Sequence, residues 1–173
     1  GPAATLLPEF EEHVLRPRAL GKFEDLLVAV AKSPAMLFYL DNWMSIAPEG
    51  APVRGKGNRF RKQRRGSRGL NENYARELLE LHTVGVDNGY TQKDIVEVAR
   101  CFTGWTIAGG GYRGKTFTFN ERVHDAGPKK VMGERLAGGR GIEDGLEVLE
   151  FLAHHPNTAR HISRKLCRRF VSD

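Results

Sequence analysis

Asn71-Glu-Asn-Tyr-Ala-Arg-Glu-Leu-Leu-Glu-Leu-His-Thr-Val-Gly85 is the stretch on which the fold turns. An asparagine at its start and a glycine at its end are helix boundary signals, an N-cap and a C-terminal stop, so the sequence predicts helix from Asn71 to Val84. Glu77 has Leu70, Tyr74, Leu81 and Val84 as its neighbours at three, four and seven residues, which sets a carboxylate inside an apolar stripe. Glu72, Asn73, Arg76, Glu80 and Thr83 make the polar face, where Arg76 meets both Glu72 and Glu80 at four-residue spacing. A turn over Val86 to Tyr90 follows, and Thr91-Gln-Lys-Asp94 has the capping-box arrangement, with Asp in the place usually held by Glu. The helix it opens carries Ile95, Val98, Ala99 and Phe102 on one stripe and ends near Gly104. The expectation is a helical hairpin.

Upstream, Phe23, Leu26, Leu27, Val30 and Ala31 repeat at helical spacing, and Ser33-Pro34 caps a second helix running to Tyr39 or Leu40. Residues 45–69 lose apolar periodicity to glycine, proline and charge, and are expected to be a flexible basic loop. Downstream, Gly109-Gly-Gly111 marks a joint. Thr116-Phe-Thr-Phe119 alternates as a strand does, with Lys130-Val-Met132 as its expected partner. Two helices close the chain, Ile142 to Ala153 and Pro156 to Val171, the second capped by His155. Ala159, Ile162, Leu166 and Phe170 are expected to form its buried stripe. The fold class predicted is mainly α, with orthogonal helical hairpins packed on one small β-hairpin.

The chain has 173 residues, 40% hydrophobic and 28% charged, enough for one domain with a core. No apolar run approaches the roughly 20 residues needed to cross a bilayer, and Gly1-Pro2-Ala3 leads into an acidic segment, unlike a signal peptide. The net charge of +6 is local. Of 27 basic residues, eight lie between Arg54 and Arg68 with no acid among them, leaving 19 against 21 acidic residues elsewhere. An anionic partner, nucleic acid included, would bind there, although Phe60 is the loop's lone aromatic and nucleic-acid surfaces usually interleave several. Cys101 and Cys167 form neither a disulfide framework nor a zinc site and are expected as buried free thiols.

Few residues offer chemistry. Glu77 is either an ion-paired structural carboxylate or a metal ligand or general base. It does not chelate with His82, which lies about 140° away around the helix at 3.6 residues per turn; His82 is expected at the core edge. His124-Asp125, followed by Gly127-Pro-Lys-Lys130, sets a histidine and an aspartate on one loop as ligands, as a base and its orienter, or as turn stabilisers. His154, His155 and His161 suit capping and surface roles. The basic residues of the last helix (Arg160, Arg164, Lys165, Arg168, Arg169) are expected to be neutralised by Glu143, Asp144, Glu147 and Glu150 of the preceding helix. The sequence contains no phosphate-binding GxxxxGK loop, G-x-S-x-G, H-E-x-x-H or CxxC pair. At Asp87-Asn-Gly89 an EF-hand register would put Val84, Val86 and Ile95 in ligand positions, which excludes one.

Leu70 to Gly85, Gly89-Tyr-Thr-Gln-Lys-Asp94, Phe102-Thr-Gly-Trp105, the HD-x-G-x-K element from His124 to Lys129, and His155-Pro-Asn-Thr-Ala-Arg160 with Phe170-Val-Ser-Asp173 together resemble the bacterial family called domain of unknown function 1800. The resemblance spans nearly the whole chain apart from the basic run Arg59 to Arg68. It implies a central fragment of a larger protein, with residues 1–173 as a single domain whose partners include the N- and C-terminal parts of the same polypeptide. It also implies an exported or periplasmic setting, and recurrent polar residues at Asn73, Arg76, Glu77, Glu80, His124, Asp125 and Lys129. The family position matching His82 is often aromatic, which argues further against a ligand there.

The leading expectation is a binding or scaffold role in an exported bacterial protein, with Asn73, Arg76, Glu80 and Lys129 as binding candidates. Its rival is a hydrolase-type enzyme in which Glu77 meets His124 and Asp125; a divalent metal is the cofactor that reading admits. A third reading is nucleic-acid binding through residues 54–68.

Overall fold

A computed structural model describes residues 2–54, 69–109 and 115–171. Most of the basic loop, residues 55–68, therefore lies outside the described residues, and with it the third reading. The chain is mainly α-helical: α1 (Pro2–Glu9), α2 (Phe23–Ala31), α3 (Pro34–Tyr39), α4 (Glu72–Glu77), α5 (Gln92–Cys101), α6 (Ile142–His154) and α7 (Pro156–Phe170). Among the described residues no helix is long and apolar enough to cross a membrane.

Local chemistry fixes most helix starts. Ser33 Oγ accepts from Met36 N at 3.2 Å, Asn71 Oδ1 takes Asn73 N and Tyr74 N, and Thr91 and Asp94 form both halves of the capping box. His155 Nδ1 accepts from Asn157 N at 3.1 Å. The hairpin α4–α5 is present, but its first arm is not one regular helix. From Leu78 to His82 the backbone widens into a π turn, closed by Thr83 Oγ1 on Leu78 O at 2.8 Å and by Gly85 (φ +93°), whose N–H reaches Leu79 O. Regular spacing therefore fails after Glu77. Leu78 and Leu79 are buried, whereas Leu81, expected in the stripe, is 49% exposed.

One core joins α2, α4, α5 and α6 through Leu27, Ala31, Ala75, Val98, Leu149 and Leu152. Aromatic rings run through it: Tyr74 to Phe102 at 5.3 Å, Phe102 to Trp105 at 4.9 Å, Trp105 to Phe117 at 5.1 Å. Gly145 lets α6 lie on Trp105, since a Cβ there would come within 2.5 Å of the indole.

Two hairpins replace the single one expected. Thr116–Phe119 is a strand (β2), but its antiparallel partner is β1 (Trp105–Ala108), with Trp105 opposite Phe119 and Ile107 opposite Phe117. That pairing brings Trp105 and Phe117 into contact over the core, a gain unavailable to Lys130–Met132. The latter region, β3 (Lys129–Val131), turns back through Met132 (φ +49°) and Gly133 (φ +99°) onto β4 (Glu134–Leu136). Two positive φ values in a two-residue turn suit the twist of a tight hairpin.

Other expectations also fail. Residues 45–54, the first part of the expected loop, are hydrogen-bonded to the body: Ala47 N binds Val123 O, Ala126 N binds Pro52 O and Gly104 N binds Ser45 O, at 2.8–3.1 Å. Cys101 is buried, but Cys167 is exposed. In α7 the expected buried stripe is not buried; Ala159 is exposed, Leu166 is 52% exposed and Phe170 79%, with Thr158 the sole buried residue of the helix. Amphipathic patterning marks a face that can be covered, without saying that this chain covers it.

Candidate functional site

His124 and Asp125 lie between a short 3-10 turn, Glu121–Val123 capped by Asn120, and strand β3. The backbone there runs inward, so His124, Asp125 and Asp144 are 0% exposed and Lys129 4%. Burying charge in this way is costly unless every group finds a partner.

Almost every one does. Asp125 caps its own turn by accepting Gly127 N at 2.8 Å on Oδ1, and takes a forked contact from Arg100 of α5, Nε to Oδ2 at 2.7 Å and Nη2 to Oδ1 at 3.3 Å. Arg100 Nη1 goes on to Glu97 Oε1 at 2.7 Å. The three protons of the Lys129 ammonium meet Asp125 O at 2.5 Å, Gly127 O at 2.9 Å and Asp144 Oδ2 at 2.6 Å. An ammonium has three donors, so Lys129 is saturated.

His124 lies against Phe119, with ring centroids 5.3 Å apart. Its Nδ1 is 2.8 Å from Thr103 O, and its Nε2 is 3.2 Å from Asp144 Oδ2. Thr103 Oγ1 also lies 3.2 Å from Nδ1, so both ring nitrogens have partners inside the core. Arg140 Nε lies 3.2 Å from Asp144 Oδ1 but is not aimed as a hydrogen bond, leaving that oxygen the one buried carboxylate atom among the described residues without a hydrogen-bond donor; Arg140 also pairs with Glu147. Arg100, Lys129 and Arg140 thus face Glu97, Asp125, Asp144 and Glu147, with the His124 ring against Asp144.

The electrostatics follow from the geometry. Burial by itself would raise the pKa of Asp144, but hydrogen bonds and charge from His124 and Lys129 outweigh it and hold the carboxyl below its ordinary value. At Asp125 burial is likewise outweighed, by Arg100 and the Gly127 N–H. Such a site holds charge in place. Its donors and acceptors are largely spent on one another, with Asp144 Oδ1 the exception.

Of the sequence candidates, the structure thus brings together His124, Asp125 and Lys129. Glu77 is half-buried at the end of α4 and, among the described residues, makes no hydrogen bond or ion pair, with this cluster or elsewhere. Arg76 lies 3.9 Å from Glu72 and 3.7 Å from Glu80, as the spacing predicts, and adds Gln92 at 3.0 Å. Asn73 is exposed and lines an open cavity with Asp41 and Glu72. His82 is half-buried beside Leu27, Met36 and Tyr74, a core-edge residue as expected.

Asp144, Arg100, Glu97 and Thr103 belong to the cluster and were not readable as such. The only local signal was the Glu97–Arg100 spacing. The expectation that Glu143, Asp144, Glu147 and Glu150 neutralise the cations of α7 is corrected: Asp144 faces His124 and Lys129, Glu147 faces Arg140, and among the described residues none of the four pairs with a cation of α7. Among the described residues there is no group of three or more His, Cys, Asp or Glu placed to hold a metal ion.

A family model described as "Protein of unknown function (DUF1800)" matches residues 2–173. No curated protein and no solved structure matches the chain.

Proposed function

We propose that this chain, which belongs to the DUF1800 family of proteins of unknown function, is a binding or scaffold module of an exported bacterial protein rather than a hydrolase. The observation that carries this reading is the saturation of the HD-x-G-x-K element. Lys129 has no donor left, Asp125 spends both oxygens on Arg100 and Gly127, and both are sealed from solvent. A general base must reach its substrate's proton at hydrogen-bonding distance, and His124 has both nitrogens engaged inside the core. The element therefore works as an internal clamp. It ties the 124–131 segment to α5 through Arg100 and to α6 through Asp144, and so fixes surfaces that bind.

The exported setting follows from the family resemblance, as do flanking parts of the same polypeptide as partners. The test is a substrate screen. Ester and phosphate chromogenic substrates, with and without zinc or manganese, are expected to show no turnover that depends on His124 or Glu77. Turnover lost in Glu77→Gln or His124→Asn, with the circular dichroism spectrum unchanged, would overturn the reading in favour of the enzyme. Recovery of the protein in the periplasmic fraction checks the compartment.

A further inference from the structure

The clamp holds the segment after His124 against α5, and the two enclose a cleft. It measures about 590 Å³, within the size range of small-ligand sites, and runs between Lys93 and Glu97 of α5 and the β3–β4 hairpin, with Pro128, Leu136 and Ala137 as its apolar lining. Its walls are tied to each other. Glu97 Oε2 accepts from Lys130 N at 2.9 Å and Asp94 Oδ1 from Met132 N at 2.6 Å, which fixes the outer edge of β3 along the helix.

Those bonds also engage the acids nearest the cleft. The other oxygen of Glu97 takes Arg100 Nη1 at 2.7 Å, and that of Asp94 takes the N–H and hydroxyl of Thr91. Glu134 falls on the opposite face of β4 from Arg135 by the alternation of a strand. The cations are left unmatched. Arg16, Arg54, Arg76, Arg100 and Arg140 each meet a carboxylate, whereas among the described residues Lys93, Lys130 and Arg135, all exposed, pair with none.

Lys130 and Arg135 are also direct partners across the hairpin. Because Lys130 N bonds to Glu97 and not across the ladder, this is the non-hydrogen-bonded kind of pair, with Cβ atoms about 4.5–5.5 Å apart. Like charges so placed repel. The fold holds that repulsion beside a concave, partly apolar surface, where a bound anion would relieve it. Three positive charges, one of them an arginine fork, favour phosphate over carboxylate: a phosphate monoester brings about 1.5 to 2 negative charges at pH 7 and three acceptor oxygens, a carboxylate one charge and two. The apolar lining suits a carbon group attached to that phosphate.

We propose that this cleft binds a small organic phosphate, with its phosphoryl group held by Lys93, Lys130 and Arg135 and its carbon part over Pro128 and Ala137. This deepens the binding reading and rests on it. The test is calorimetric titration of the whole chain with phenyl phosphate, inorganic phosphate and benzoate. Phenyl phosphate is expected to bind at least tenfold more tightly than benzoate and severalfold more tightly than inorganic phosphate, and to weaken as salt is raised. Lys130→Gln with Arg135→Gln should lose at least tenfold of that binding and Lys93→Gln severalfold, while the melting temperature stays level or rises as the repulsion is removed. Phosphatidic acid vesicles that displace phenyl phosphate would assign the site to a lipid headgroup, and vesicles that do not would assign it to a soluble ester; either supports the cleft. Absent binding of phenyl phosphate, equal binding of benzoate, or phenyl phosphate binding that survives the double substitution would each overturn the cleft and leave the binding reading standing. His124-dependent hydrolysis of phenyl phosphate in the same preparation would sink the binding reading instead.

Discussion

The turn from His124 to Lys129 and the helix α7 are both rich in cations, and they meet opposite fates. In the first, every charge is drawn inside and matched, so that Lys129 is 4% exposed with three acceptors. In the second, five cations and two large apolar side chains face outward, and among the described residues none of the cations pairs with an acid. The difference teaches that residue type is a poor guide to whether a charged side chain ends paired and buried or exposed. A histidine, an aspartate and a lysine close in sequence have the makings of a reactive site, yet saturation turns them into a clamp. An amphipathic helix has the makings of a core element, yet lack of a cover turns it into a surface.

The contrast breaks if the clamp proves dispensable. Lys129→Met or Asp144→Asn leaves an uncompensated buried charge and is expected to destabilise by about 3–5 kcal/mol. At roughly 2–4 °C per kcal/mol for a chain of this size, the melting temperature should fall by about 10 °C. A shift below about 2 °C in thermal denaturation would remove the clamp from the argument. The double variant should recover part of the loss, because two matched groups leave together.

A second loss should come from α6, which carries Asp144 to the cluster. Gly145→Ala forces a methyl into Trp105 and is expected to cost about 1–3 kcal/mol by overpacking, read by chemical denaturation. An unchanged midpoint would show that α6 can shift without disturbing its neighbours.

Acid titration sharpens the comparison further. Asp125 and Asp144 have pKa values lowered in the folded state, so their contribution is present above the unfolded value near 3.9 and is lost as pH falls below about 4. Asp144→Asn should flatten that part of the stability curve. His82 acts at higher pH. Burial, helped by the Lys165 charge, lowers its pKa, so the folded state resists protonation and stability should decline modestly as pH falls below about 6.5. His82→Asn is expected to erase that slope and leave the acid limb unchanged.

The smallest effect belongs to α7. Leu166→Asp and Phe170→Asp change exposed positions and should alter stability by no more than about 0.5 kcal/mol each. A large loss in either would mean that the stripe is covered in solution.

Much of the fold was legible because it is encoded locally. Ser33, Asn71, Thr91 with Asp94, and His155 each announce a helix start through hydrogen bonds to residues two or three positions on. The Arg76 pairs with Glu72 and Glu80 follow from helical geometry alone. Strand pairing was less legible, since Thr116–Phe119 states its own alternation but not its partner.

The sequence by itself determined most of the helices, though not α1 or the π turn after Glu77, together with the presence of strands and the candidate positions His124, Asp125 and Lys129. Only the tertiary structure decided that Arg100 and Asp144, 25 and 20 residues from their partners Asp125 and His124, close on that turn, and that Glu77 takes no part. It also decided that α7 is left largely exposed among the described residues. The physical reason is the same in each case: a cap is satisfied by its own neighbours, whereas pairing and burial depend on which distant atoms arrive.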